Sequence, residues 1–226
     1  MSHVVVLLSG GMDSTTLLAH ALSIHGEADA LFVNYGQRHI RERAASVAVA
    51  SHYGVRWDEL DLRSYGESVR SALTTGDISV PHGHYAADTM TQTVVPGRNA
   101  VMLAAAAGVA ASRDASLVAF AAHAGDHPIY PDCRPDFVES LSAALQRGYG
   151  VTISAPFVHK DKAAIASLGA DLRAPLALSW SCYEGGEYHC GRCGTCVERA
   201  EAFHLACVPD PTVYTDPHYW KTVCTA

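Results

Sequence analysis

Short apolar and β-branched runs alternate along the chain with longer segments whose apolar residues recur at helical spacing. Val4–Leu8, Ala30–Asn34, Trp57–Leu62, Leu117–Ala122 and Val151–Ser154 read as strands. Ser14–His25, Ile40–Tyr53, Asn99–Ala111, Pro135–Gly148 and Lys160–Leu168 read as helices. Strands separated by helices of about 10 to 15 residues predict an α/β fold with a Rossmann-like, doubly wound parallel sheet. Such a sheet takes its ligands beyond the carboxyl ends of its strands. No repeat or low-complexity linker interrupts the pattern, so one α/β domain over 1–226 is expected. Two stretches depart from the alternation. Residues 76–96 are rich in His, Gly, Thr and Pro without a period, and are expected to form a flap or a dimer contact. Residues 180–206 turn to Cys, Gly and His, the mark of a metal-organised subregion within the domain.

Composition narrows the classes. With 226 residues and 49% hydrophobic content the chain can bury a full core. Its longest apolar stretch, Val101–Ala111, spans 11 residues and is too short for a bilayer. No basic segment precedes the first strand, so a cytoplasmic protein without signal peptide or membrane partner is expected. The net charge of −7, with only three lysines (160, 162 and 221), argues against a direct nucleic-acid face. Seven cysteines in a reducing compartment point to metal or chemistry before disulfides.

The first candidate chemistry is the turn Ser9-Gly10-Gly11-Met12-Asp13-Ser14, continuing to Thr15, between the first strand and the first helix. Two glycines let backbone N–H groups approach phosphate oxygens, and the helix adds its unpaired donors and positive end. Ser9 and Ser14 can donate from their hydroxyls, and Asp13 can hold a magnesium ion bridging the phosphates. No Gly-Lys pair exists for a Walker loop, and the spacing is not G-x-G-x-x-G. The turn fits the S-G-G-x-D-S signature of pyrophosphatase-loop enzymes, which cleave ATP between the α- and β-phosphates.

The second is Cys182, Cys190, Cys193 and Cys196, two overlapping C-x-x-C steps with Gly191 and Gly194 between them. Four thiolates close a tetrahedral shell, so one structural zinc per chain is expected. His189 is a rival to Cys182 as fourth ligand, and an iron–sulfur cluster is the alternative metal. A zinc knuckle that binds nucleic acid would want a basic surround; 180–206 holds Arg192 and Arg199 against Glu184, Glu187, Glu198 and Glu201.

Polar clusters follow or precede other elements: Asn34–His39 running on to Glu42, Pro96–Asn99, His123–His127 and Tyr130–Pro135. Arg38, Arg98 and Arg134 offer forks for carboxylate or phosphate, and Asp126 and Asp132 can accept from a purine-like N–H edge. Read singly, Asp132 can instead start a Pro-bounded turn, and Cys133 can be a small buried hydrophobe.

Taken in order, Ser9–Thr16, Tyr35–Glu42, Val95–Asn99, Tyr130–Phe137, Trp180–Tyr183 and Cys190–Cys196 resemble the 7-cyano-7-deazaguanine synthase family of queuosine precursor synthesis. The resemblance implies a pyrophosphatase-loop fold, a zinc ion, often a homodimer, and 7-carboxy-7-deazaguanine, ATP and ammonia as substrates. It implies two adenylations, first of the acid and then of the amide, with Ser9–Thr15 at the pyrophosphate. Lys162, with Lys160 as deputy, is expected at the α-phosphate; Asp13 and Arg98 join it as catalytic candidates. Tyr35, Gln37, Arg38, His39, Arg98, Asn99, Asp126, Asp132 and Arg134 are the substrate-binding candidates. Gly194 departs from the acidic residue that family members often carry there. A related ligase that stops at the amide, or couples the deazaguanine to another amine, keeps the same motifs. Sulfur-transfer relatives would want a nucleophilic cysteine pair, and only Cys133 lies near the expected crevice.

Overall fold

The computed structural model describes residues 3–37, 40–74, 81–85 and 88–224. Arg38, His39 and the parts of 76–96 at 76–80 and 86–87 lie outside the described residues. Five strands, β1 (Val4–Leu7), β2 (Ala28–Asn34), β3 (Trp57–Asp61), β4 (Leu117–Ala119) and β5 (Thr152–Ser154), pair in the order β3-β2-β1-β4-β5, all parallel. The switch between β1 and β4 opens a crevice at the carboxyl edge.

Period-two burial explains why β1 is apolar at every position. Val5 and Leu7 face one layer, Val4, Val6 and Leu8 the other, and both faces are covered. On the first side lie α4 (Arg98–Ala111) and α5 (Pro135–Tyr149), with Leu103, Ala106, Ala107, Val138 and Leu145 in the core. On the second lie α1 (Met12–His25), α2 (Ile40–Tyr53) and α6 (Lys162–Asp171), with Leu17, Leu18, Val49 and Ile165. Residues Met90–Ala111 are apolar enough together to match a membrane span, with mean hydropathy 1.4. The helix proper starts only at Arg98, after Pro96-Gly97, and its 14 residues rise about 21 Å. Its buried face is spent on the sheet.

Three helices have no counterpart among the expected elements: α3 (Arg63–Ser68), α7 (Gly194–Leu205) and α8 (Tyr219–Cys224). The α6 start also shifts, from Lys160 to Lys162, because Asp161 caps it: its Oδ1 accepts from the Ala164 N–H at 2.7 Å. The cap places Lys162 in the first turn and leaves Lys160 exposed on the preceding loop. Of the stretch expected as a flap, the described part is ordered by contacts. Residues 88–93 form a 3-10 helix, His82 bridges Cys193, and the Gly83 N–H donates to Arg192 O at 3.1 Å.

Helix α7 ties the C-terminal segment to the sheet layers. Its Ala202 and Phe203 pack with Met12 of α1 and Ala166 of α6. Arg199, 1% exposed, donates to Ser179 Oγ (2.8 Å), Ser181 Oγ (3.1 Å), Leu176 O (3.1 Å) and Thr212 Oγ1 (2.7 Å). That guanidinium clamps 176–181 and the chain near 212 onto one helix.

Candidate active site and metal centre

The crevice holds a cavity of about 240 Å³ whose two ends differ in chemistry. At one end is the glycine turn. Gly10 sits at φ +89°, and a Cβ there would lie 2.5 Å from Glu42 O and 2.6 Å from Ser46 N, so only glycine fits against α2. Ser9 Oγ and Ser14 Oγ are 3.0 Å apart, and Ser14 Oγ accepts from the Gly10 N–H at 3.2 Å. Gly11 caps α1 without a side-chain acceptor, which leaves first-turn N–H groups available to an anion. Met12 and Asp13 line the cavity with the serines; Thr15 is buried behind them.

Lys162 reaches this turn from α6. Its Nζ lies 2.7 Å from Asp13 Oδ2 and 3.0 Å from Glu198 Oε2 on α7. His123 Nε2 is 3.2 Å from the same nitrogen. His123 Nδ1 accepts from the Gly125 N–H at 3.1 Å, and its Nε2 also lies 3.5 Å from Asp126 Oδ1 and 3.9 Å from Glu198 Oε1. Burial alone would lower the Lys162 ammonium, but Asp13, Glu198 and Asp126 outweigh it and hold it well above the ordinary range. Burial pushes the Glu198 carboxyl up, against Lys162 and His123, which pull it down. Asp13 Oδ1 is buried with no hydrogen-bond partner. An orphaned carboxylate oxygen at a phosphate turn fits a hard cation such as magnesium.

The other end is aromatic and cationic. The half-buried Arg98 guanidinium lies 5.6 Å from the Tyr35 ring centre and 5.9 Å from that of Tyr130. Its Nη1 donates to Tyr35 Oη at 3.3 Å, and the nearby Glu42 carboxyl feels its charge. Tyr85, Tyr183, Asn99 and Glu42 also line the cavity, and Asp126 stands between its two ends, 3.5 Å from His123 Nε2. Burial pushes Glu42 up to about 7, although Arg98 and a hydrogen bond from Gln37 pull the other way. Tyr85 Oη donates to Asp126 Oδ1 at 3.1 Å, so that carboxylate is already partly engaged.

Several expected residues do other work. Asp132 Oδ2 accepts from the Asn99 N–H at 3.0 Å and Asn99 Nδ2 donates to Asp132 O at 3.2 Å, so Asp132 secures the start of α4. Arg134 is exposed, with Nε donating to His127 O at 3.0 Å. Neither lines the cavity. Gln37 braces its own loop, donating to Val33 O and accepting from the Tyr35 N–H. Lys160 is exposed and does not line the cavity, and Arg38 and His39 lie outside the described residues. Cys133 lines the cavity, but burial drives its thiol far up, so it is no ready nucleophile. The sequence placed His123 only within the polar run His123–His127 and Glu198 only in the acidic surround of the cysteines, and neither was a site candidate by itself. In the structure Glu198 lies in the buried stretch Cys196–Ala200 of α7.

The four cysteines converge. Their sulfurs lie within 4.8 Å of one another, and Cys190 Sγ is 3.9 Å from Cys196 Sγ. Tetrahedral bonds of about 2.3 Å put sulfurs about 3.8 Å apart, so the set fits an ion of zinc's size. Backbone N–H groups of Glu184 and Cys190 donate to Cys182 Sγ, and those of Arg192 and Cys193 to Cys190 Sγ, as thiolates require. His189 is not among the converging ligands: its Nε2 accepts from the Ser181 N–H at 3.1 Å and its ring lies tilted against Trp180. At Gly194 a Cβ would meet Met90 Sδ at 2.6 Å, so Met90 and Tyr85 fill the space a longer side chain would need. Trp180 N donates to Gly10 O at 2.8 Å, linking this segment to the phosphate turn.

A parallel 3-2-1-4-5 sheet, a serine–glycine anion turn at its first strand and a conjoined thiolate centre define a pyrophosphatase-loop α/β protein. The family model described as "Queuosine biosynthesis protein QueC" matches residues 3–207, and the chain belongs to that family. It is 49% identical over 221 residues to 7-cyano-7-deazaguanine synthase of Ruegeria pomeroyi, covering 96% of each chain. It is 51% identical to the enzyme of that name from Rhizobium meliloti, covering 96% of this chain and 93% of the other. The solved NMN synthetase from Francisella tularensis shares the fold at a TM-score of 0.50 and 15% identity, over 98% of this chain and 84% of that one.

Proposed function

We propose that this protein is a carbon–nitrogen ligase that converts 7-carboxy-7-deazaguanine and ammonia to 7-cyano-7-deazaguanine at the expense of ATP, as a step toward queuosine. The observation that carries the reading is the two-ended cavity. The Arg98 fork, suited to a substrate carboxylate, lies in the same enclosure as a turn built for the phosphates of ATP. The tyrosines around Arg98 offer faces for a planar bicyclic ring, and Asp126 and Asn99 offer polar atoms to its edge.

In this reading the Ser9–Ser14 turn grips the leaving pyrophosphate and Lys162 neutralises charge on the α-phosphate as a carboxylate oxygen attacks it. Magnesium accompanying ATP would be held by Asp13. Ammonia displaces AMP from the acyl-adenylate and gives the amide. The amide oxygen is adenylated in turn, and its departure with AMP leaves the nitrile. Both oxygens of the acid thus end in AMP, one for each ATP. Cys182, Cys190, Cys193 and Cys196 would hold zinc, which would supply folding free energy and fix the start of α7, from which Glu198 reaches Lys162. The chemistry needs ATP and reduced thiols, which suits the cytoplasm.

The test is the nucleotide product. With acid, ammonium and ATP the wild type should release AMP and pyrophosphate, and Asp13→Ala should abolish the release with its metal content unchanged. ADP and phosphate would overturn the assignment of the turn.

A further inference from the structure

A second group of ligand-type side chains lies on the outer side of α7. His84, Glu201 and Cys224 come from three separate places: the segment 81–85, the third turn of α7 and the end of α8. One ligand atom from each falls within 4.8 Å of the others, and His84 Nε2 is 3.6 Å from Glu201 Oε2. Nitrogen, oxygen and sulfur donors around one point are unlike an acidic surface patch, because two of the three are poor partners for calcium or magnesium.

We infer that His84, Glu201 and Cys224 form a second metal site, for a zinc-like divalent ion, with one coordination position open to water. Imidazole, carboxylate and thiolate are the three donor types that zinc accepts, and three protein ligands leave a tetrahedral ion one vacancy. Bonds of about 2.0 to 2.3 Å bring such ligands to within about 4 Å of each other, so closure asks only for small side-chain rotations. His84 and Glu201 side chains are 40% and 25% exposed, which gives an ion direct access from solvent.

Charge balance supports the set. Cys224 and Glu201 come from separate helices, α8 and α7, yet the thiol sulfur and a carboxylate oxygen lie within 4.8 Å of each other. Binding of a divalent cation through sulfur releases the thiol proton to solvent, while His84 and Glu201 supply the nitrogen and oxygen donors. The two negative ligands then cancel the cation's charge. The consequence reaches the cavity. An ion here fastens 81–85 to α7, and the same segment carries Tyr85, whose hydroxyl holds Asp126 in the cavity.

The experiment titrates Co²⁺ into protein that already holds its one zinc at the four-cysteine centre. Wild type should take up one further equivalent per chain, with a near-ultraviolet thiolate-to-cobalt band of single-thiolate intensity. Cys224→Ser should abolish that band, and both Cys224→Ser and His84→Ala should weaken uptake at least about tenfold. Elemental analysis should find the first zinc retained in both variants. Failure of the wild type to bind a second equivalent, or uptake by both variants equal to that of the wild type, overturns the inference.

Discussion

Replacing Glu198 by Gln separates a positioning role from a structural one. The substitution keeps the shape of a buried side chain but removes one of the two carboxylates paired with Lys162, at 3.0 Å. At an effective dielectric near 20 that pair is worth about 5 kcal/mol of gross attraction. Most of this is offset by the desolvation of Glu198 and by repulsion from Asp13 and Asp126, which is why its carboxyl is held above the usual range. A carboxyl raised by folding contributes stability at low pH that is lost as pH rises through its folded pKa. Glu198→Gln should therefore melt no lower than wild type at pH 8, and retain its metal. Lys162 meanwhile keeps only Asp13 at 2.7 Å and is drawn toward it, away from the α-phosphate position. A loss of about 1.5 to 3 kcal/mol in the transition state corresponds to a ten- to hundredfold fall in kcat. Pyrophosphate release at saturating ATP measures it, with Glu198→Asp as partial rescue. Unchanged kcat would show that Asp13 alone positions the lysine; a fall in melting temperature equal to the loss of activity would make Glu198 merely structural.

Two further outcomes follow from the same cavity and its support. Glu42 rises from an ordinary 4.5 to about 7 on folding, so its contribution is complete below pH 4.5 and lost as pH rises through 7. Glu42→Gln should leave stability nearly unchanged at pH 5 and raise it at pH 8 by up to about 3 kcal/mol; denaturant titrations showing the same difference at both pH values would refute this. Cys193→Ser should lose the bound metal and several kcal/mol of stability, on the order expected for a structural ion; full metal content or an unshifted melting curve would contradict the closed thiolate shell.

What was legible in the sequence was local. The phosphate turn and the four cysteines announce themselves because their partners lie within a few residues, so spacing alone carries the geometry. Strand and helix positions agree to within a few residues because burial on both faces of β1 and β2 forces continuous apolar runs. Lys162 was distinguishable from Lys160 only through the cap at Asp161. Glu198 was hidden because its partner is remote in the chain and because a Glu in a helix is most often solvated. Asp132 shows the converse. Beside Pro131 and Arg134 it looks like a ligand for the substrate ring, but its carboxylate is consumed by the backbone of Asn99. The loop stretch 81–85 had no periodicity to read, since its order comes from pairing with Cys193 and Arg192 far along the chain.

The central claim is that one cavity activates the same carbon twice. A rapid-quench experiment with enzyme, 7-carboxy-7-deazaguanine, ammonium and a single equivalent of ATP tests it most directly, with products resolved by mass spectrometry. The amide should accumulate under that limit, and a second equivalent of ATP should carry it to the nitrile, at two AMP per nitrile formed. Amide that persists in excess ATP, or nitrile formed with one AMP and no amide, would contradict it.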